Sequence, residues 1–256
     1  MRVIVALSGG KASAYCAKWA FDNYPKDQII LYFNDTKWEH PDLYRFINDL
    51  ATYFNHPITY DNDGRSPEDL FYYHRALASN RMPFCSQKLK AQRLQAFFKD
   101  GDHIVFGIGT TEPQRATRIV QIYQKVAATK DKWPKLFFPL IQHQVSNDMI
   151  DQWLKETKIE APLLYRLGFS HNNCSGGCVR AGKNQWRLLY ERLPEVYMER
   201  ERVENDIRAF LNKDVSIMRD ETLEQFRGRI ERGELNMRYY SDLPPIECIG
   251  ICQSVE

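Results

Sequence analysis

A chain of 256 residues, 43% hydrophobic and 27% charged, is not a disordered one; it fits one large domain or a domain with an appendage. At that length roughly 70–75% of the unfolded surface is buried, which is enough for an enclosed site. A net charge of +2 excludes chain-wide attraction to nucleic acid or acidic partners, so any such grip has to come from a local patch. No run approaches the roughly 20 apolar residues of a membrane-crossing helix, and Met1 to Leu7 is too short for a signal peptide. The expectation is a cytoplasmic protein with no membrane contact. Its six cysteines are then free, metal-bound or catalytic rather than disulfide-paired.

In chain order, Val3 to Leu7 predicts a buried strand ending at a Ser-Gly-Gly turn, and Ala14 to Phe21 a helix. Ile29 to Phe33 predicts a second strand, Asp42 to Phe54 an amphipathic helix, and Ile58 to Tyr60 a third strand. Residues 61–84 form a long connection with a helix around Leu70 to Leu77. Leu89 to Phe98 predicts a helix, His103 to Ile108 and Leu136 to Ile141 strands, and Asn147 to Thr157 a helix. Strands alternating with helices predict an α/β fold, a mostly parallel doubly wound sheet, with ligands beyond the carboxyl ends of the strands. From about Gly168 the texture changes to a Cys-rich loop, a charged helical stretch from Asn184 to Leu211 and another around Glu221 to Glu234. The expected domains are 1–167, which binds nucleotide, and 168–256, a helical elaboration whose tail returns to the site. Mixed signs from Arg187 to Arg232 predict a solvated face.

Ser8-Gly9-Gly10-Lys11-Ala12-Ser13 joins the first strand to the first helix. Such a turn offers backbone N–H groups and the positive end of a helix dipole to an anion; Lys11 adds a charge, and Ser8 and Ser13 add hydroxyls. The spacing matches neither the Walker loop nor the Gly-x-Gly-x-x-Gly fingerprint. A tight turn without a ligand stands as the alternative.

That turn resembles the pyrophosphate loop (PP-loop) of the adenine nucleotide alpha-hydrolase-like superfamily. The resemblance to its phosphoadenosine phosphosulfate (PAPS) reductase branch extends through Phe33-Asn34-Asp35-Thr36-Lys37-Trp38-Glu39-His40, Pro83-Phe84-Cys85-Ser86-Gln87-Lys88-Leu89-Lys90, Phe106-Gly107-Ile108-Gly109 with Glu112-Pro113-Gln114-Arg115, and Phe138-Pro139-Leu140. These segments follow the family's order over about the first 180 residues. The resemblance implies that Ser8, Gly9, Gly10, Lys11 and Ser13 hold the phosphates of ATP or another adenine nucleotide. It places Asn34, Asp35 and Thr36 near the adenosine, and lets Gly107 bring a second strand end to the nucleotide. Lys88 and Lys90 would face the anionic end, and Arg115 would clamp a phosphate. Ala12 stands where many ATP-cleaving members carry the Asp associated with magnesium, which argues against ATP cleavage; Asp35 is the alternative carboxylate for magnesium.

Cys174-Ser175-Gly176-Gly177-Cys178 lets two thiolates face one centre, and Cys248-Ile249-Gly250-Ile251-Cys252 repeats the design at the tail. Grouped thiolates select zinc or an iron–sulfur cluster. The resemblance implies a [4Fe-4S] cluster held by Cys85, Cys174 and Cys178, with Cys248 or Cys252 as the fourth ligand and the other tail thiol, taken as Cys252, left to reach substrate. The doubled cysteine typical of cluster-bearing sulfonucleotide reductases is missing, since Phe84 precedes Cys85. Cys16 predicts a core residue, and His171 alone lies close enough to the Cys loop to be a spare ligand.

The resemblance and the grouped cysteines together imply an enzyme of sulfur chemistry, a sulfonucleotide reductase or a PP-loop sulfurtransferase. In reductive cleavage a thiolate attacks the sulfonyl sulfur of a sulfonucleotide; in sulfur transfer ATP adenylates an acceptor, a nucleic-acid base or a small molecule. Ala12 argues against the second, and Glu247-Cys248-Ile249-Gly250, which only approximates a Glu-Cys-Gly tail, argues against the first. The alternative is a non-catalytic module in which zinc at the cysteines supports a nucleic-acid or protein surface and the nucleotide turn is vestigial. Oligomeric state is not legible.

Overall fold

The computed structural model describes residues 1–235. The chain runs β1 (Val3–Leu7), α1 (Lys11–Asn23), β2 (Ile29–Asn34), α2 (Pro41–Phe54), β3 (Ile58–Asp61), α3 (Pro67–His74) and the single turn α4 (Phe84–Ser86). A π-helical turn over Gln87–Ala91 leads into α5 (Gln92–Phe97), β4 (His103–Phe106), α6 (Pro113–Lys130), β5 (Lys135–Phe137), α7 (Pro139–Gln142), α8 (Asn147–Glu156) and α9 (Leu163–Arg166). The remaining helices are α10 (Lys183–Arg192), α11 (Pro194–Leu211) and α12 (Leu223–Glu231).

The five strands form one parallel sheet in the order β3-β2-β1-β4-β5, the doubly wound α/β arrangement expected. Val3, Val5, Leu7, Leu31, Phe33 and Val105 share one apolar cluster with α1, α2 and α8. On the alternate residues, Tyr32 stacks on Phe97 of α5 and Phe106 meets Tyr123 of α6. Because side chains alternate along a strand, both faces of the sheet are covered.

Two strands are shorter than expected. β4 stops at Phe106, before Gly107, and β5 stops at Phe137, because Pro139 removes a ladder donor and opens α7. The stretch from Asn184 to Leu211 is two helices, since Pro194 cannot continue the first and begins the second at its first position. Helix α6, 18 residues long, had no place in the sequence expectation. Its buried residues are only Ile119, Tyr123 and Ala127, a stripe too thin to stand out.

The chain divides into two compact units. The first comprises residues 1–35, 41–62 and 90–163 and holds the sheet. The second comprises, among the described residues, 36–40, 63–89 and 164–235 and packs α3, α10, α11 and α12 around Phe71, Trp186, Tyr197, Ile207 and Phe226. Within it the solvated face expected of the charged helices is corrected: Arg200, Glu201 and Glu204 are buried. Glu204 accepts the backbone N–H groups of Ile217 at 2.7 Å and Leu223 at 2.6 Å, so its carboxylate pins the chain between α11 and α12 rather than facing water.

Candidate functional site

In the sheet unit, the strand order reverses at β1 and β4, which is where open α/β sheets leave a crevice beyond their carboxyl ends. Both neighbouring loops carry glycine for a physical reason. Gly9 has φ +78°, a conformation that L side chains rarely adopt, and a Cβ there would lie 2.6 Å from Leu43 Cγ. A Cβ on Gly107 would lie 2.6 Å from the backbone N of Ser13 and 2.7 Å from its Cα, so the end of β4 presses directly on the first turn of α1.

The turn between β1 and α1 is braced from within. Ser13 Oγ donates to Gly10 O at 2.9 Å and accepts from Ser8 N at 3.1 Å; the two serine hydroxyls are 3.1 Å apart. Gly10 at the N-cap gives no side-chain cap, and the first turn of α1 holds no acidic residue. The first turn of α1 thus brings no N-cap side chain and no carboxylate of its own to the positive end of the helix dipole, an arrangement that suits a phosphate. Lys11 Nζ is 2.5 Å from Asp151 Oδ1 on α8, whose side chain is 52% exposed. A half-exposed pair of this kind contributes about 0–1 kcal/mol, small enough for a phosphate to displace. Asp151→Asn is expected to tighten adenine-nucleotide binding by about two- to fivefold, read by calorimetric titration; unchanged affinity would mean that Lys11 does not turn to the ligand.

Other expected residues are engaged. Asn34 Nδ2 donates to Tyr32 Oη at 3.2 Å, and Tyr32 in turn donates to Asp61, which Arg93 grips with two nitrogens. Burial pushes the Asp61 carboxyl up, but hydrogen bonds from Arg93 and Tyr32 outweigh it and hold the group below the usual range. Burial and the Asp61 hydrogen bond push the Tyr32 phenol upward. Asp35 accepts from Tyr44 Oη at 2.8 Å. Arg115 closes on Glu112 at 2.7 Å within the start of α6. Cys16 is buried, its Sγ 3.6 Å from Phe106 O, as expected of a core thiol.

The second unit gathers Cys85, Cys174 and Cys178, all buried, in one apolar cluster with Trp38, Phe169, Trp186 and Leu189. Cys174, Ser175 and Gly176 have φ of +51°, +55° and +85°, a run of left-handed residues that costs backbone energy and persists only where surroundings enforce it. The enforcing contacts are explicit: Cys174 N–H donates to Glu39 Oε2 at 2.8 Å, Ser175 Oγ to Trp38 O at 3.0 Å, and Gln185 Nε2 to Gly176 O at 2.7 Å. Thr36 is buried and donates to Glu39 Oε1 at 2.9 Å, so it supports this loop within the second unit. Lys88 is half-buried in the π-helical turn of the same unit, whereas Lys90 belongs to the sheet unit and is buried.

Sequence reasoning missed Arg200. Its side chain is 2% exposed, with Cζ 3.7 Å over the Trp38 ring, and a Cβ on Gly177 would lie 3.0 Å from its Cγ. Nη1 is 3.2 Å from Glu199 Oε1, yet neither Nε nor Nη1 has an aligned hydrogen-bond acceptor among the described residues. Burial pushes this guanidinium down, while Glu199, Cys174 and Glu39 favour its charged form. A buried cation so placed suits an anionic centre, which thiolates bound to a metal would supply. Among the described residues no three His, Cys, Asp or Glu side chains converge to hold a metal ion, and the expected tail residues Cys248 and Cys252 lie outside them.

A family model of the phosphoadenosine phosphosulfate reductase domain matches residues 2–181. A search of curated proteins finds no match. No helix among the described residues is long and apolar enough to cross a membrane.

Proposed function

Since the chain belongs to the phosphoadenosine phosphosulfate reductase domain family, we propose that it is a nucleotide-dependent enzyme of sulfur chemistry, binding an adenine nucleotide by its phosphates at Ser8, Gly9, Gly10, Lys11 and Ser13. The observation that carries the reading is the contact of Gly107 with the backbone of Ser13, which leaves a side-chain-free approach to a helix N-terminus where the sheet changes direction. Asn34 and Asp35 stand at the end of β2, where the adenosine would lie, with Asn34 held by the Tyr32–Asp61–Arg93 network. Arg115 would exchange Glu112 for a phosphate.

Cys85, Cys174 and Cys178, with Cys248 from the tail, would hold a [4Fe-4S] cluster, zinc being the alternative for the same soft donors. Such a group would supply positive charge and, as a cluster, electrons. Arg200 balances the charge of the thiolates and Glu39 fixes the backbone that carries them. Cys252 would be the reacting thiol, with Lys88 favouring negative charge on the substrate. Between the chemistries open to such a chain, Ala12 favours sulfonucleotide cleavage, in which a thiolate attacks the sulfonyl sulfur and the nucleotide leaves as its phosphate. Sulfur transfer to an ATP-activated acceptor is the second.

The test is calorimetric titration of anaerobically purified protein with adenosine 3′-phosphate 5′-phosphosulfate and with ATP. Lys11→Ala with Ser13→Ala is expected to weaken the preferred nucleotide by about 100-fold without loss of bound metal, since two charge-assisted contacts go. Equal affinity in the variant would defeat the phosphate turn. A colourless protein with one zinc per chain would replace the cluster by zinc.

A further inference from the structure

Helix α6 stands apart from the other surface helices. On α1, α2, α10, α11 and α12 outward cations are answered four residues away by carboxylates: Lys18–Asp22, Arg45–Asp49, Arg187–Glu191, Arg202–Asp206 and Arg227–Glu231. On α6 there is no acid between Pro113 and Lys130. Ile119, Tyr123 and Ala127 face inward, and the exposed positions 114, 118, 121 and 125 are Gln114, Arg118, Gln121 and Lys125. The charge continues past the helix end. Residues 113–135 contain five Lys or Arg beyond Arg115, which closes on Glu112, against one acid, Asp131, whereas the whole chain has 35 against 33.

At the end of this stripe Trp133 is 56% exposed, between Lys132 and Lys135. The loop bordering it brings one exposed carboxylate, Asp100, whose Oδ1 accepts Trp133 N–H at 2.8 Å, while Asp102 is neutralised by Arg2; Lys130, Lys132 and Lys135 still outnumber Asp100 and Asp131 there. Along α6, Arg118 and Lys125 lie on one face about 10 Å apart at 1.5 Å per residue, and Lys130, in the last turn, opens an exposed end that continues through Lys132, Trp133 and Lys135. An indole in water at the end of such a row is a stacking platform for a base.

We infer that the outward face of α6, with Arg118 and Lys125, and the exposed end that follows it, with Lys130, Trp133 and Lys135, form a docking surface for single-stranded nucleic acid. The inference is independent of the reaction proposed above, because it uses none of that site's residues. The test is fluorescence anisotropy of the full chain with a labelled oligothymidylate of about 20 nucleotides. Binding should weaken with salt with a log–log slope of about −3, from about four neutralised phosphates at about −0.7 each. Arg118→Glu with Lys125→Glu and Lys130→Glu should weaken it by about 100-fold or more, since like charges then face the phosphates. Trp133→Ala should weaken it by about 5- to 100-fold, while leaving binding of inorganic polyphosphate unchanged. All of these positions are exposed, so the unfolding midpoint should not move for Trp133→Ala and should fall only slightly for the triple variant, in which Lys130→Glu opposes the helix dipole, and adenine-nucleotide titration should give the parent affinity. No binding of the oligonucleotide overturns the inference. So does oligonucleotide binding indifferent to Trp133, which reduces the surface to a general polyanion patch, or preference for vesicles containing phosphatidylserine, which makes it a membrane-facing one.

Discussion

Gly107→Ala is expected to abolish measurable adenine-nucleotide binding, lowering affinity by about 100-fold or more, and to cost about 1–3 kcal/mol of stability. The added methyl would sit 2.6 Å from Ser13 N and 2.7 Å from Ser13 Cα. Both are backbone atoms, so no rotamer change relieves the overlap; either α1 or the end of β4 has to move. Moving α1 disturbs the turn that the Ser8 and Ser13 hydroxyls brace, and a shift of about 1 Å in such a site costs about 100-fold. Gly109→Ala is the control, because a Cβ there meets nothing nearer than Thr111 Oγ1 at 4.0 Å. Calorimetric titration and denaturant unfolding of both variants decide the matter. If Gly107→Ala binds as the parent does, the crevice between the ends of β1 and β4 is not where the nucleotide lies.

How much of the fold and the site was legible in the sequence depends on whether the cause was local. The run Val3 to Leu7 followed by Ser-Gly-Gly is a local pattern, and it placed β1, the turn and α1 correctly. Gly107 could be singled out as a glycine after a strand, although its reason, contact with the backbone of Ser13 far earlier in the chain, is visible only once β4 lies beside β1. The break at Pro194 was written in the sequence as a proline inside a helical run. The burial of Arg200, Glu201 and Glu204 was not, because charge pattern reports a side chain's sign and not what packs over it. Helix α6 escaped for the opposite reason: its inward stripe is thin, and its polar face resembles a loop.

Arg200 gives the second large effect, and its sign is informative. Glu199 and Glu39 favour the charged form of this guanidinium with or without a metal, so the effect that reports the thiolates is the difference between metal-loaded and chelated protein. If Cys174 and its neighbours are thiolates on a metal, Arg200 is their counter-charge, and its loss strands negative charge in an apolar cluster that includes Trp38, Phe169, Trp186 and Leu189. Arg200→Met is therefore expected to destabilise metal-loaded protein by about 3–5 kcal/mol and to lower its metal content on gel filtration. Arg200→Lys should recover part of the loss, since an ammonium keeps the charge but not the flat stack on Trp38. Denaturant unfolding of the three proteins, each with and without chelator, separates the cases. A variant Arg200→Met as stable as the parent, with full metal content, would show that the centre carries no net negative charge and would remove Cys174 from the proposed ligands. After chelation the same substitution should cost far less, because thiols that have taken up protons no longer need a cation beside them.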